Sequence, residues 1–527
     1  MVPKRALTSL VTLDPAFMAA NTIRDSFSAW VISEAPIKPG IDSIKGLLKS
    51  LRSDDPSRLG IMAAGGGSGH YNRLQDGEVR RAFLKMAREQ QSDFLSSIID
   101  SPFKLARLWK SIGRATENAN RVAIYDAAIK QGASSQEAAF QALDIMDFGL
   151  RGDSKALAFF LDTVPFMNAR IQGLYKLGRA SGIGQGNGLQ KLLPHKQVAT
   201  HAAIIMGATI GLLAANWDDD RYWELPEWDR DLYYHLWIGG KHVRIPKPFE
   251  VGQIFSTVPE RVAELMGKTG DSRLFMRRML SIVGDTFAMN PIPQAVRPAA
   301  DIATNRSALT GNPILGIGDQ FKSPEQQYNA FTTLIAREIA EAMPDTAPEA
   351  MRSPKKVEYM IRGYFGSLGV YAMEASDALL RAAGNYPTKP ESRPGDAWVV
   401  RRFLPEDDAR ATKYVGEFYD LNQDVQEIIR KARQLQERGD TVEANKVMTE
   451  NRDLIGYASV LKSTERALAS LRRQEQEIYD GRSGLSPAQK RIELERIKAQ
   501  KNRLSKQAVT NRPRKPTPPL FNPFSIR

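Results

Sequence analysis

Hydrolytic or metal chemistry needs histidines, cysteines or paired carboxylates at defined spacings, and this chain supplies few. Its five histidines (His70, His195, His201, His235 and His242) include no HExxH pair. There is no cysteine, which excludes disulfide frameworks, thiolate zinc sites and cysteine nucleophiles together. Asp218, Asp219 and Asp220 gather charge that suits a hard cation, but they lack the alternating ligands and central glycine of a calcium loop and read as a solvated helix end. Of two glycine-rich stretches, 63–69 has no Gly-Lys-Ser/Thr ending, and 181–188 has neither a preceding strand nor dinucleotide-binding spacing. Both read as connectors. Cell-wall cleavage would need a glutamic acid held near neutrality as proton donor, and Glu374 reads instead as part of a solvated helix face. The expectation is a non-enzyme with no catalytic residues, no metal ligands and no cofactor.

A stronger signal is charge. The net charge is +13, and residues 481–527 hold twelve Lys or Arg against Glu493 and Glu495, a surplus of ten. The remaining 480 residues share the other three, so a nearly neutral body carries a basic arm. Lys490, Arg491, Arg496, Lys498, Lys501, Arg503, Lys506, Arg512, Arg514 and Lys515 are the candidate contacts to DNA or another anionic partner. With few acidic partners nearby in sequence, their helix does not read as an ordinary salt-bridged surface helix. An anionic leaflet or an acidic protein surface would fit equally.

The second signal is apolar. Residues 197–217 contain no Asp, Glu, Lys or Arg, and as a helix would measure about 31 Å, close to bilayer thickness. The dense part is only 202–215, which also fits a buried core helix, so both readings stay open. Small residues recur at Ala203, Gly207, Gly211 and Ala215, a spacing that permits close helix approach. Trp217, Trp223, Trp228 and Trp237 follow, four of the seven tryptophans, of a type that favours membrane interfaces.

The elements that must hold these residues are mostly helical. At 527 residues, with 42% hydrophobic and 25% charged residues, the chain has material for several packed domains and is not disordered throughout. Ser-Pro pairs at 101, 323, 353 and 486 read as helix starts, and Ser323, Ser486 and Ser134 have capping-box spacing to Gln326, Gln489 and Glu137. One β-hairpin is expected at about 232–245, turning at Gly239-Gly240. The expected order is an N-terminal helical segment (1–62), a loop (63–77), a helical region (78–190), the apolar helix (197–217) and the aromatic segment with its hairpin (218–260). A helical region (261–386), a linker (387–396), a charged helical hairpin (397–480), the basic helix (481–510) and a proline-rich tail (511–527) follow. No secretory signal is visible at the start.

Several motifs in order resemble one known family. Residues 13–17 (LDPAF), 21–25 (NTIRD), 116–121 (TENANR), 164–173 (VPFMNARIQG), 244–250 (RIPKPFE) and 290–293 (NPIP) are similar to the large polyvalent protein-associated domains, number 38 of that series, over roughly residues 1–385. The resemblance implies a protein of phages or mobile elements, and in particular an internal virion protein delivered with the genome, which needs no signal peptide. It transfers no catalytic residue. The partners it implies are other phage virion proteins, further copies of the chain, DNA and the host inner membrane. The implied location is the virion interior, then the host periplasm or inner membrane. A cytosolic DNA-associated factor of a mobile element and a peptidoglycan-degrading virion enzyme are the alternative expectations.

Overall fold

The computed structural model describes residues 14–52, 54–63, 112–113, 115–145, 167–182, 195–269, 272, 275–276, 278–280, 296–307, 313–320, 322–329, 332–384, 386–396, 398–405 and 412–513. The Ser101-Pro102 start, nearly all of both glycine-rich stretches, residues 164–166 and 290–293, and the tail from Arg514 lie outside them.

The fold is mainly α-helical, and among the described residues the sheet is one two-stranded hairpin. In chain order the principal elements are α1 (Pro15–Ile32), α2 (Ile41–Leu51), α3 (Pro56–Ala63), α4 (115–130), α5 (Ser135–Asp144), α6 (Met167–Ser181), α7 (Lys196–Ala215) and α8 (Glu227–Leu232). The strands β1 (Tyr233–Ile238) and β2 (Lys241–Pro246) come next. They are followed by α9 (Val258–Glu264), α10 (Leu334–Glu341), α11 (Pro354–Ala382), α12 (Lys413–Glu437), α13 (Thr441–Glu450), α14 (Ala458–Tyr479) and α15 (Pro487–Thr510). Two compact units share the chain, the first made of 1–208, 246–259 and 273–385, the second of 209–245, 260–272 and 386–527.

In the first unit, alanine-rich faces let helices approach closely. Ala29, Ile61, Val122, Ile124, Ala128, Ala138 and Ala142 form one core from α1, α3, α4 and α5. Gly46 of α2 is essential to this packing, since a Cβ there would lie 2.0 Å from the Ala119 carbonyl oxygen. Beside it, the Ser43 hydroxyl donates to Asn120 Oδ1 at 2.5 Å. A second core joins Val31, Leu177, Val198, Ile205 and Val251. The α10 start is capped by two α11 carboxylates, with Thr333 N–H donating to Glu358 at 3.0 Å and Ile335 N–H to Asp377 at 3.1 Å.

In the second unit, the hairpin forms as expected because Gly239 and Gly240 both take positive φ, 57° and 76°. Gly439, at φ 81°, ends α12 and starts the turn into α13. α12, α14 and α15 pack around Phe418, Leu421, Val425, Leu461, Leu468, Ala508 and Val509. The Ser486 capping box is complete, with Ser486 accepting from Gln489 N–H and Gln489 accepting from Ser486 N–H.

Two expectations need correction. Ser323 opens only a 3-10 turn, Pro324–Gln326, because Gln327 folds back and its side-chain amide donates to the Lys322 carbonyl at 3.2 Å. The stretch 387–396 is no free linker. Pro387 lies against Gly481, Glu391 N–H donates to the Pro487 carbonyl at 2.9 Å, and Asp396 pairs with Arg491 at 2.7 Å.

Candidate functional site

α7 carries the small-residue edge. Ala203, Gly207, Gly211 and Ala215 are all exposed, and a Cβ added at Gly207 or Gly211 would meet open space. Ile204 and Met206 are exposed on the same helix. Among the described residues α7 is the one helix long and apolar enough to cross a membrane, with 28% of its most apolar window buried. Its other side is used, since Val198 and Ile205 enter the first unit's second core and the His201 ring stacks on Trp30 at 4.1 Å.

The tryptophans do not form an outward belt. Trp217 is 3% exposed and packs with Leu213, Tyr222, Leu225 and Ala263, while Trp223 and Trp237 lie half-buried against that core. Only Trp228 of the four stands exposed. The rings also hold cations. The Lys268 ammonium lies 5.3 Å from Trp217 and 5.1 Å from Trp223, and Arg221 lies 4.9 Å over Trp237.

Arg230, fully buried, lies 5.6 Å from Tyr222 and 5.2 Å from Trp223 and makes a two-pronged pair with Glu264 at 3.2 and 3.4 Å. Arg261 bonds the same carboxylate and, at 2.8 Å, Asp231. Burial pushes the Glu264 carboxyl up, but the two guanidiniums outweigh it and hold Glu264 below the usual carboxylate range. Nearby, His235 Nε2 faces the Asp229 carbonyl at 3.1 Å and must donate to it. In the neutral imidazole, His235 Nδ1 then accepts from His242 Nε2 at 2.9 Å. This network was not legible as a site in the sequence, because its members come from α8, β1, β2 and α9, and charged residues among aromatics look solvated when read along the chain.

The basic helix is corrected most. α15 finds acidic partners that lie far away in sequence: Arg491 with Asp396 at 2.7 Å, Lys501 with Glu475 at 2.5 Å and Lys506 with Glu224 at 2.6 Å. Arg491 also bonds Glu495, and Arg496 bonds Glu493, within the helix. Lys490 is buried and donates to the Thr388 carbonyl at 2.9 Å. Burial, with Arg401 adding to it, pushes the half-buried Lys498 ammonium below its ordinary value. Arg503 and Arg512 are exposed, and Arg514 and Lys515 lie outside the described residues. α15 is thus a salt-bridged bundle helix, and the outward charge of the candidate set is concentrated at its end. Glu374 is exposed on α11, and among the described residues no group of His, Asp and Glu is arranged to hold a metal.

Comparison with known proteins adds one finding. Residues 219–400 match the family described as large polyvalent protein associated domain 38. Over that interval, about a third of the chain, the sequence is similar to a large polyvalent protein associated domain. The match takes in 244–250 and 290–293, and leaves the motifs at 13–25, 116–121 and 164–173 outside it, so it is shorter at the start than the expected 1–385 and extends past its end. No curated protein and no solved structure matches.

Proposed function

We propose that the chain is an internal virion protein of the ejection or core kind, which helps a phage genome cross the host envelope. It assembles with copies of itself and with other virion proteins, and touches membrane or DNA as it does so. The observation that carries this reading is α7, a helix with a charge-free 197–215 stretch and exposed small residues along one edge, in a chain with a polyvalent-protein domain. A second apolar surface supports assembly, since Ile41, Ile44, Leu48 and Leu51 of α2 are each more than half exposed. DNA phosphates would be met by the exposed Arg503 and Arg512 and, next in sequence, Arg514 and Lys515. The protein would reside in the virion interior and then in the host periplasm or inner membrane.

Flotation of the full chain with vesicles of mixed neutral and anionic lipid tests the membrane contact. Co-flotation supports it. Failure to float at any lipid charge, together with salt-sensitive DNA binding lost on deleting 511–527, would instead favour a cytosolic DNA-associated factor.

A further inference from the structure

Two histidines of the hairpin meet in the interior of the second unit. His235 of β1 and His242 of β2 are 1% and 2% exposed, and His235 Nδ1 lies 2.9 Å from His242 Nε2. The pair is held from several sides. His235 Nε2 bonds the Asp229 carbonyl of α8 at 3.1 Å, and the His235 carbonyl accepts from Asn216 Nδ2, just past α7, at 3.0 Å. The His242 ring lies parallel to Trp237 at 4.7 Å, and the Tyr222 ring stands edge-on to His235 at 6.0 Å. Both histidines fall in the interval 219–400.

Two ring nitrogens at that distance share one hydrogen. In the neutral pair one ring donates and the other accepts. With a single added proton, His235 donates from both of its nitrogens and His242 Nε2 accepts. A second proton would set N–H against N–H, two cations at bonding distance in a site shut off from water. The surrounding charges are already matched to one another. Arg244 pairs with Asp229 at 2.8 Å, Arg230 and Arg261 with Glu264, Arg261 also with Asp231 and, at 4.0 Å, with Glu260, and Arg221 with Asp219. The Arg221 guanidinium also lies 4.9 Å from the Trp237 ring, to which a charged His242 would add a second cation, and Lys268 lies over Trp217 and Trp223. Tyr222 supplies no anion, because burial pushes its hydroxyl up.

We propose that the His235–His242 pair is an acid-operated catch on the hairpin: it stays closed in the neutral pair and with one added proton, and the second proton drives the rings apart and loosens β1 and β2 from α8. An unfolded chain, whose imidazoles titrate at about 6.5, takes that second proton more readily than the folded unit does. The stability supplied by the contact is therefore complete above about pH 6.5 and is lost as the pH falls below it. Opening releases the Trp237 ring from its stack on His242.

Hydrogen–deuterium exchange of the full chain at about pH 7.5 and about pH 5, corrected for intrinsic exchange, tests this. Peptides covering 233–246 should lose about tenfold or more of their protection at the lower pH, because each unit of pH below about 6.5 favours tenfold the open form that holds one more proton. Peptides from α12 and α14 should stay constant. Glu264 is still ionised there, since its carboxyl lies below the ordinary 4.5, so its loss is a separate event in stronger acid. His242→Gln keeps a donor for His235 Nδ1 and can turn an acceptor to it, so this variant should hold its protection at both pH values. Imidazole nitrogen NMR of the unaltered chain gives an independent readout: the two rings should take up their protons in two steps, the second below about 6.5. Equal protection at both pH values in the unaltered chain, a drop that persists in His242→Gln, or both rings titrating together at about 6.5 would each overturn the proposal.

Discussion

Lys490 Nζ donates to the Thr388 backbone carbonyl at 2.9 Å, and this bond fastens the first turn of α15 to the segment leading into the bundle. A residue that reads in the sequence as a phosphate contact is a buried structural donor. Lys490→Met should therefore lower stability by about 1–3 kcal/mol, measured by chemical denaturation, because the Thr388 carbonyl loses a charged donor. DNA affinity measured on the folded variant should be unchanged.

The exposed basic residues should behave oppositely. Replacing Arg503 and Arg512 together by alanine should leave stability within about 0.5 kcal/mol. It should also reduce the slope of log affinity for DNA against log salt by up to about two. Fluorescence anisotropy across a salt series checks both the loss and its origin.

Two sets of glycines separate packing from assembly. Gly46→Val should cost roughly 3 kcal/mol or more, since its new carbon would collide with the Ala119 carbonyl oxygen. Gly207→Leu with Gly211→Leu meets open space and should leave the thermal midpoint nearly unchanged. The same pair should abolish self-association in analytical ultracentrifugation, because leucine prevents close helix approach.

Glu264 sets the acid limit of the second unit. Its folded value lies below its ordinary 4.5, so its stabilising contribution is present above that value and is lost as the pH falls through the lower one. An acid titration followed by tryptophan fluorescence, which reports on Trp217 and Trp223, should show loss of structure below about pH 4.5. Arg230→Met should move that loss to higher pH and cost about 3–5 kcal/mol by breaking a buried pair.

What could be read from the sequence was local. The hairpin follows from Gly239-Gly240 between branched and aromatic residues, and the α15 start follows from Ser486, Pro487 and Gln489, each within a few positions. The partners of α15 could not be read this way, because Glu224, Asp396 and Glu475 are supplied by distant segments. The tryptophans misled for a related reason: a ring suited to a membrane interface is equally suited to sandwich Arg230 or Lys268, and only the fold decides which. The motifs 21–25, 116–121 and 244–250 serve in the sequence as signs of kinship, and folding brings them side by side, with Asn120 Nδ2 donating to the Thr22 carbonyl at 3.4 Å and the Arg24 guanidinium 4.9 Å over the Phe249 ring.

The central claim is that this chain travels inside a particle. Quantitative mass spectrometry of purified virions before and after triggered genome ejection tests it most directly. Peptides from the whole chain are expected in intact particles and should be depleted from emptied ones. Absence from intact virions would contradict it.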